Sequence, residues 1–116
     1  MPNSEDYTVV WVGICRRLDE TEIAQAQSGT HPLIQSAQSV GLRHWFDTFG
    51  TTPQGEPESF LLAGERLDLL GYKEGRSAYS ISRERLATKL EEIDAALARA
   101  GLEGRAELHV MLRIQD

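Results

Sequence analysis

The hydrophobic pattern is clearest near the two ends of the chain, where it predicts strands. Residues 7–17, YTVVWVGICRR, form a short run rich in β-branched and aromatic side chains and free of proline, which is typical of a buried strand. Residues 107–114 alternate strictly between apolar side chains and Glu, His, Met and Arg. This two-residue period predicts a second strand.

A helical period is strongest in residues 82–101, where apolar side chains recur every three or four positions with charges between them. These apolar positions are Leu86, Leu90, Ile93 and Leu97. Ser82 suits the N-cap of such a helix, and Gly101 suits the left-handed position after its last turn. The pattern therefore predicts a helix over this range that packs through its four apolar positions.

Two further helical segments are predicted after the first strand. Asp19 and Glu22 have the spacing of a capping box, which indicates the start of the first segment. Pro32 fits the first turn of the second segment. The apolar pattern allows this second segment to continue through Trp45 and Phe46, although Gly41 weakens its middle.

The middle of the chain is marked by turn residues. Residues 50–58 contain two prolines, two glycines and no large apolar side chain, so an exposed loop is expected there. Residues 59–81 are predicted to be strands, broken by turns at Gly64 and Glu65 and at residues 73–76. The pattern leaves three pairings open: 60–63 with 67–72, 67–72 with 77–81, or all three segments in a meander.

The order of predicted elements is typical of one α+β domain over residues 1–116. A chain of 116 residues is long enough for one hydrophobic core. Strand, helical region, strands, helix, strand is the βαββαβ order of the ferredoxin-like split βαβ fold. This fold predicts an antiparallel sheet with two helices on one face and with the first and last strands as neighbours.

In that arrangement the two terminal strands have one face toward the helices and one open face. The side chains expected toward the helices are Val10, Val12, Ile14, Leu108, Val110 and Leu112. The side chains expected on the open face are Val9, Trp11, Cys15, His109 and Met111. Such an apolar face should not remain in water, so we expect that it is buried within the chain, paired in a homodimer, or used as a ligand pocket.

Charge narrows the classes of partner. Acidic residues number 18 against 12 Lys and Arg, and the net charge is −6, which argues against direct nucleic-acid binding. No run approaches the roughly 18 to 20 apolar residues of a membrane helix, and residues 1–6 do not have the pattern of an export signal. With a single cysteine, a cytoplasmic protein is expected.

The excess of acids is confined to residues 1–65, which hold nine acids and three bases. Between Arg43 and Arg66 there is no lysine or arginine, and four acids lie there in or around an exposed loop next to aromatic side chains. The negative charge of such a surface would attract it toward a basic cleft on a partner, and the aromatic side chains would then anchor in that cleft. The predicted partner-binding residues are Trp45, Asp47, Phe49, Glu56, Glu58 and Glu65. Alternatively, the carboxylates only keep the surface soluble and the aromatics pack in the core.

No catalytic constellation is visible in the sequence. The histidines at 31, 44 and 109 share no metal-ligand spacing. Cys15 at the end of an apolar strand fits an inert buried thiol better than a nucleophile, and no phosphate-binding loop is present. We therefore predict no catalytic residue, no metal and no cofactor.

Two functional hypotheses follow. The leading one is a small acidic, non-enzymatic protein of the inhibitor, immunity or antitoxin type that masks a protein with a basic surface. The alternative is a dimeric α+β-barrel-like enzyme or ligand-binding protein with a pocket on the open sheet face. Trp11, His109 and Met111 would line that pocket, and His109 would be its acid or base.

Overall fold

The computed structural model describes residues 6–71 and 73–113, which form an α+β fold. Its elements are β1 Tyr7–Arg17, α1 Glu20–Ser28, α2 Pro32–Ser39, β2 Arg43–Thr51, β3 Pro57–Gly71, α3 Arg83–Arg99 and β4 Glu107–Arg113. The four strands form one open antiparallel sheet in the order β2-β3-β1-β4. Three helices, rather than the expected two, pack on one face of this sheet.

Both terminal strands and α3 are confirmed, although Ile114 lies outside the described residues. The hydroxyl of Ser82 accepts a hydrogen bond from the Arg85 N–H at 3.1 Å, as an N-cap should. At the other end Gly101 takes a left-handed φ of +70°, and the Leu102 N–H returns to a carbonyl of the last turn. The local signals at both ends of α3 therefore place it correctly.

The capping box of α1 is also confirmed. Asp19 accepts a hydrogen bond from the Glu22 N–H at 2.8 Å, and Glu22 accepts one from the Asp19 N–H at 3.4 Å. Gly29 ends the helix in the left-handed conformation, with φ of +77°. Pro32 begins α2 as predicted.

The predicted continuation of the second segment through Trp45 and Phe46 is wrong. Helix α2 ends at Ser39, Gly41 follows with φ of +78°, and both aromatic residues lie in β2. A left-handed glycine stops the helix, and the next residues alternate between the two faces of the sheet. The connection after β2 is also shorter than predicted, because β2 reaches Thr51 and β3 begins at Pro57.

The predicted turn at Gly64 and Glu65 is wrong, whereas a turn does follow β3 at residues 73–75. None of the three predicted pairings forms, because β3 is continuous through Gly64 and residues 77–81 are not a strand. Strand β3 runs without interruption through this point and pairs with β1 on one side and β2 on the other. Gly64 lies opposite Gly13 of β1, and a Cβ on Gly64 would stand 2.1 Å from the Val12 carbonyl oxygen. The glycine therefore allows two strands to approach closely rather than a chain reversal.

The main core lies between the sheet and the three helices. Its fully buried members come from every helix and from β1 and β3: Val12, Leu18, Ala26, Leu33, Ile34, Ala37, Leu42, Leu61, Ala63, Ile93, Ala96 and Leu97. Leu86 and Leu90 of α3 are only partly buried against it. Burial of this continuous apolar surface is the main stabilising term of the fold.

The other face of the sheet, termed here the concave face, holds a second core. Val9, Trp11 and Leu62 are fully buried there, and Trp11 is only 1% exposed. Partly buried side chains surround them: Tyr7, Cys15, Trp45, Phe49, Phe60, Leu69 and Met111. The expectation of an open face is therefore corrected, since one chain already buries its centre.

The sheet curls because its two halves meet at the Gly13–Gly64 pair. Strand β2 pairs with β3 only as far as Gly64, whereas β4 pairs with β1 only between Tyr7 and Gly13. Asp47 of the first half nevertheless hydrogen-bonds to Tyr7 of the second. The concave face is thus folded over its own aromatic side chains.

The edge strand β4 leaves an apolar stripe uncovered on the helix side of the sheet. Leu108, Val110 and Leu112 are 43%, 63% and 54% exposed. They were predicted to lie under the helices, but α3 packs over the neighbouring β1. The predicted face of the sheet was therefore correct, but the predicted burial of these three side chains under the helices was wrong.

Candidate binding surfaces

The structure does not bring the predicted acidic residues together in one exposed patch. Asp47 points into the concave face. Glu65 is ion-paired with Lys89 of α3 at 2.9 Å, while Glu56 lies exposed in the β2–β3 connection and Glu58 is partly buried at the start of β3. Of the six predicted residues, Glu56 is the one fully exposed acid.

Asp47 belongs to a polar cluster that ties three strands together. The Tyr7 hydroxyl donates a hydrogen bond to its carboxylate, and the Arg113 Nε donates another at 3.1 Å. The Arg113 guanidinium also lies 5.5 Å from the centre of the Tyr7 ring. Burial and the Asp47 hydrogen bond raise the pKa of Tyr7 well above its usual range, so this phenol remains a donor.

The predicted anchors Trp45 and Phe49 lie beside this cluster rather than on the outside. Both rings meet Tyr7 edge to face, with centroids 6.0 and 6.5 Å away. Phe49 also contacts Phe60, at 6.3 Å. These aromatics therefore contribute first to the core of the concave face.

A separate cleft of about 640 Å³ is acidic and was missed by the sequence analysis. The beginning of α1 and the β2–β3 connection form its walls. Its lining consists of Arg17, Leu18, Asp19, Glu20, Glu22, Ile23, Glu56 and Pro57. Four carboxylates thus stand around a partly apolar base beside one arginine. Glu56 was the only member predicted from the sequence as a binding residue, because the approach of α1 to the hairpin is a tertiary feature.

Beside this cleft, Glu22 joins Arg16 and His31 in a small network. Its carboxylate pairs with Arg16 at 3.0 Å and with His31 Nε2 at 3.0 Å. The Nδ1 atom of buried His31 accepts the Leu33 N–H, so the ring hydrogen is on Nε2. The His31 hydrogen bond lowers the pKa of Glu22. His31 therefore caps α2 and orients Glu22, and neither ring nitrogen is free for catalysis.

The concave face contains a buried donor, the indole N–H of Trp11, that has no acceptor among the described residues. The indole N–H of Trp45 has no hydrogen bond of normal geometry there, although it interacts with the Tyr7 hydroxyl. A guanidinium, that of Arg66, lies 5.7 Å from the centre of the Trp45 ring. Unpaired buried donors are costly, which makes this face the second candidate surface.

His109 and Cys15 of the predicted face have limited chemical freedom. His109 Nε2 lies 3.0 Å from the Gly13 carbonyl oxygen. Since a carbonyl only accepts, Nε2 carries the hydrogen and Nδ1 alone could take a proton. Burial raises the pKa of the Cys15 thiol, which disfavours the reactive thiolate.

Comparisons with known protein families, with curated proteins and with solved structures find no match to this chain. Within residues 6–71 and 73–113, no group of three or more His, Cys, Asp or Glu side chains is arranged to hold a metal ion. In the same part of the chain, no helix is both long and apolar enough to cross a membrane.

Proposed function

We propose that the chain is a small acidic, non-enzymatic binding protein of the inhibitor, immunity or antitoxin type, whose partner has a basic surface. The observation that carries this proposal is the acidic cleft between α1 and the β2–β3 connection. Carboxylates around an apolar base can attract cationic side chains and contact their aliphatic stems. The proposal assumes a cytoplasmic protein, which a single free cysteine supports.

The binding residues of this proposal differ from the predicted set. Asp19, Glu20 and Glu56 line the cleft and are exposed, and Glu58 lies next to it along β3. Asp47 and Glu65 already have basic partners in the chain, so they offer little charge to another molecule. Trp45 and Phe49 pack against the buried side chains of the concave face.

The strand arrangement bears on the finer fold class. We infer that the ferredoxin-like split βαβ description applies, with the helical crossover between β1 and β2 divided into α1 and α2. The strand order β2-β3-β1-β4 and antiparallel pairing between all neighbours support it. Fold class alone implies no activity.

The test is capture of partners from a lysate of the source organism, with protein identification by mass spectrometry. Wild type should recover basic proteins at low salt and lose them at high salt. Glu20→Gln combined with Glu56→Gln should recover less, mainly through slower association. The matched control, Glu91→Gln with Glu103→Gln, removes equal charge from exposed sites elsewhere and should behave as wild type. Equal recovery by all three proteins would contradict the proposal.

A second candidate is a ligand site on the concave face, with His109 as its acid or base. The unpaired indole donor of Trp11 favours it, because an oxygen-bearing ligand could accept from this N–H. Titration with apolar carboxylates while tryptophan fluorescence is recorded tests this, since both tryptophans of the chain lie there. A saturable change in wild type that Trp45→Phe weakens would support the ligand site, and no change would contradict it.

A further inference from the structure

Strand β4 combines an unpaired edge with an exposed apolar stripe. Within the part of the chain that the structure describes, it is the last strand of the sheet and pairs with β1 alone, while β2 approaches it without strand pairing. Leu108, Val110 and Leu112 stand exposed along its helix side. Natural edge strands usually carry lysine, proline or a bulge that prevents further pairing, and Glu107–Arg113 has neither lysine nor proline and pairs with β1 without a register shift.

The sequence of β4 is complementary to itself when it is read in the antiparallel direction. Around a two-fold axis at Val110, Glu107 stands opposite Arg113 of the second copy. In the same register Leu108 stands opposite the second copy's Leu112, and Val110 meets its own equivalent. Every opposed pair outside the centre then occurs twice, as a two-fold interface requires.

If the two-fold axis is moved by one residue along β4, Glu107 no longer stands opposite Arg113. An axis at His109 would place Glu107 opposite Met111, and an axis at Met111 would place His109 opposite Arg113. Either shift leaves Glu107 without Arg113 opposite it. Opposite charges across a strand pair stabilise it, whereas like charges destabilise it.

The side chains at the ends of β4 are available for such pairing. Glu107 is exposed, and no partner of its carboxylate occurs among the described ion pairs. Arg113 uses its Nε for Asp47 and is 26% exposed. Its guanidinium has further N–H donors, so it can hold Asp47 of its own chain and Glu107 of another at once.

We propose that a second copy of this chain docks on β4, strand against strand and antiparallel around Val110, to give a continuous eight-stranded sheet. The six apolar side chains of the two stripes then lie side by side on the helix side of this sheet. The two Glu107–Arg113 pairs lie on its other side, where His109 of each copy stands opposite Met111 of the other. The interface leaves the acidic cleft unused.

Sedimentation velocity over a concentration series measures the predicted dimer. Wild type and the control Glu103→Arg should dimerise equally. Val110→Lys, which opposes two charges on the axis, should abolish the dimer, and Glu107→Arg should raise its dissociation constant at least about tenfold. A monomeric wild type, or a dimer that Val110→Lys leaves intact, would overturn the proposal. The first result would assign this edge to an extended peptide of another protein.

Cysteine cross-linking tests the register in a Cys15→Ser background. V110C should form a disulfide between copies, because directly opposed strand residues stand about 5 Å apart. L108C alone should not, because its equivalent would lie four residues away, about 13 Å. A mixture of L108C and L112C chains should again cross-link. Cross-linking of L108C alone, or none of V110C, would overturn this register.

Discussion

The hydroxyl of Tyr7 on β1 donates a hydrogen bond to the carboxylate of Asp47 on β2, although β3 separates these two strands. Asp47 lies opposite Phe60, which lies opposite Arg17. In a flat sheet Tyr7 would stand about 33 Å away along β1. The contact is therefore possible only because the sheet curls strongly. Arg113, on the edge strand β4, donates a hydrogen bond to the same carboxylate.

This relationship predicts a stability limit on the alkaline side. The pKa of Tyr7 is raised above its ordinary value of 10.0 by burial and by Asp47. The neutral phenol thus stabilises the fold fully below about pH 10, and this contribution is lost as the pH rises further. Tyrosinate absorbance should show Tyr7 titrating late in the native protein.

Tyr7→Phe is the control for that titration. The variant should lose the late-titrating group and leave the other two unchanged. It should also lose about 1 kcal/mol at neutral pH, because Asp47 then keeps only the Thr48 N–H and Arg113 as donors. Late titration that persists in this variant would show that another tyrosine is responsible.

The Gly13–Gly64 pair predicts a steric limit at the bend. A Cβ on Gly13 would stand 2.0 Å from the Ala63 carbonyl oxygen, and the φ angle is +153°. Gly50 has a similar φ of +133° with nothing within 4 Å of its Cβ position. In denaturant unfolding, Gly50→Ala should cost about 1 to 2 kcal/mol from backbone strain alone. Gly13→Ala should cost at least about 3 kcal/mol because the clash adds to that strain. Equal losses would show that the strands can separate without penalty.

The local signals of this sequence predicted several elements correctly. The caps of α1 and α3 involve residues three positions apart, and the alternation in β4 needs no knowledge of its neighbours. The errors arise where a residue acts through a distant one. The local pattern predicts a turn at Gly64 because its partner Gly13 is remote in sequence. The same pattern gives too little weight to Gly41, which ends the second helical segment.

The candidate surfaces show the same division. The sequence predicts that the aromatic and acidic residues in 45–58 belong together. It does not predict on which face of the sheet each side chain lies. Asp47 is directed inward by Tyr7 and Arg113, which lie 40 and 66 positions away. The acidic cleft depends on α1 lying against the hairpin at Glu56. Neither contact follows from spacing along the chain.

Helix α3 provides a graded test of the main core. Leu97 is 1% exposed, whereas Leu90 is only partly buried. Leu97→Ala should therefore cost about 3 to 5 kcal/mol, and Leu90→Ala about 1 to 2 kcal/mol. Chemical denaturation with an unchanged m-value would give both numbers. A reversed order would mean that α3 is rotated about its axis relative to the sheet.

Glu22 predicts a stability change on the acid side. The His31 hydrogen bond, with a weaker contribution from Arg16, lowers the pKa of Glu22 below its ordinary value of 4.5. The charged carboxylate is therefore favoured by folding. Its contribution is present above about pH 4.5 and is lost as the pH falls through the lowered pKa. Because Glu22 is partly exposed, we expect Glu22→Gln to cost only about 1 kcal/mol at neutral pH.

The decisive measurement compares urea unfolding of wild type and variants from neutral pH into this acid range. The difference between wild type and Glu22→Gln should shrink as the pH falls, because protonated Glu22 no longer offers His31 a charged acceptor. Glu20→Gln removes the same charge from the same turn of α1 without touching His31, so its profile should keep the acid-side decline of wild type. A difference between wild type and Glu22→Gln that stays constant with pH would mean that the Glu22 side chain stabilises the fold by packing and not by charge.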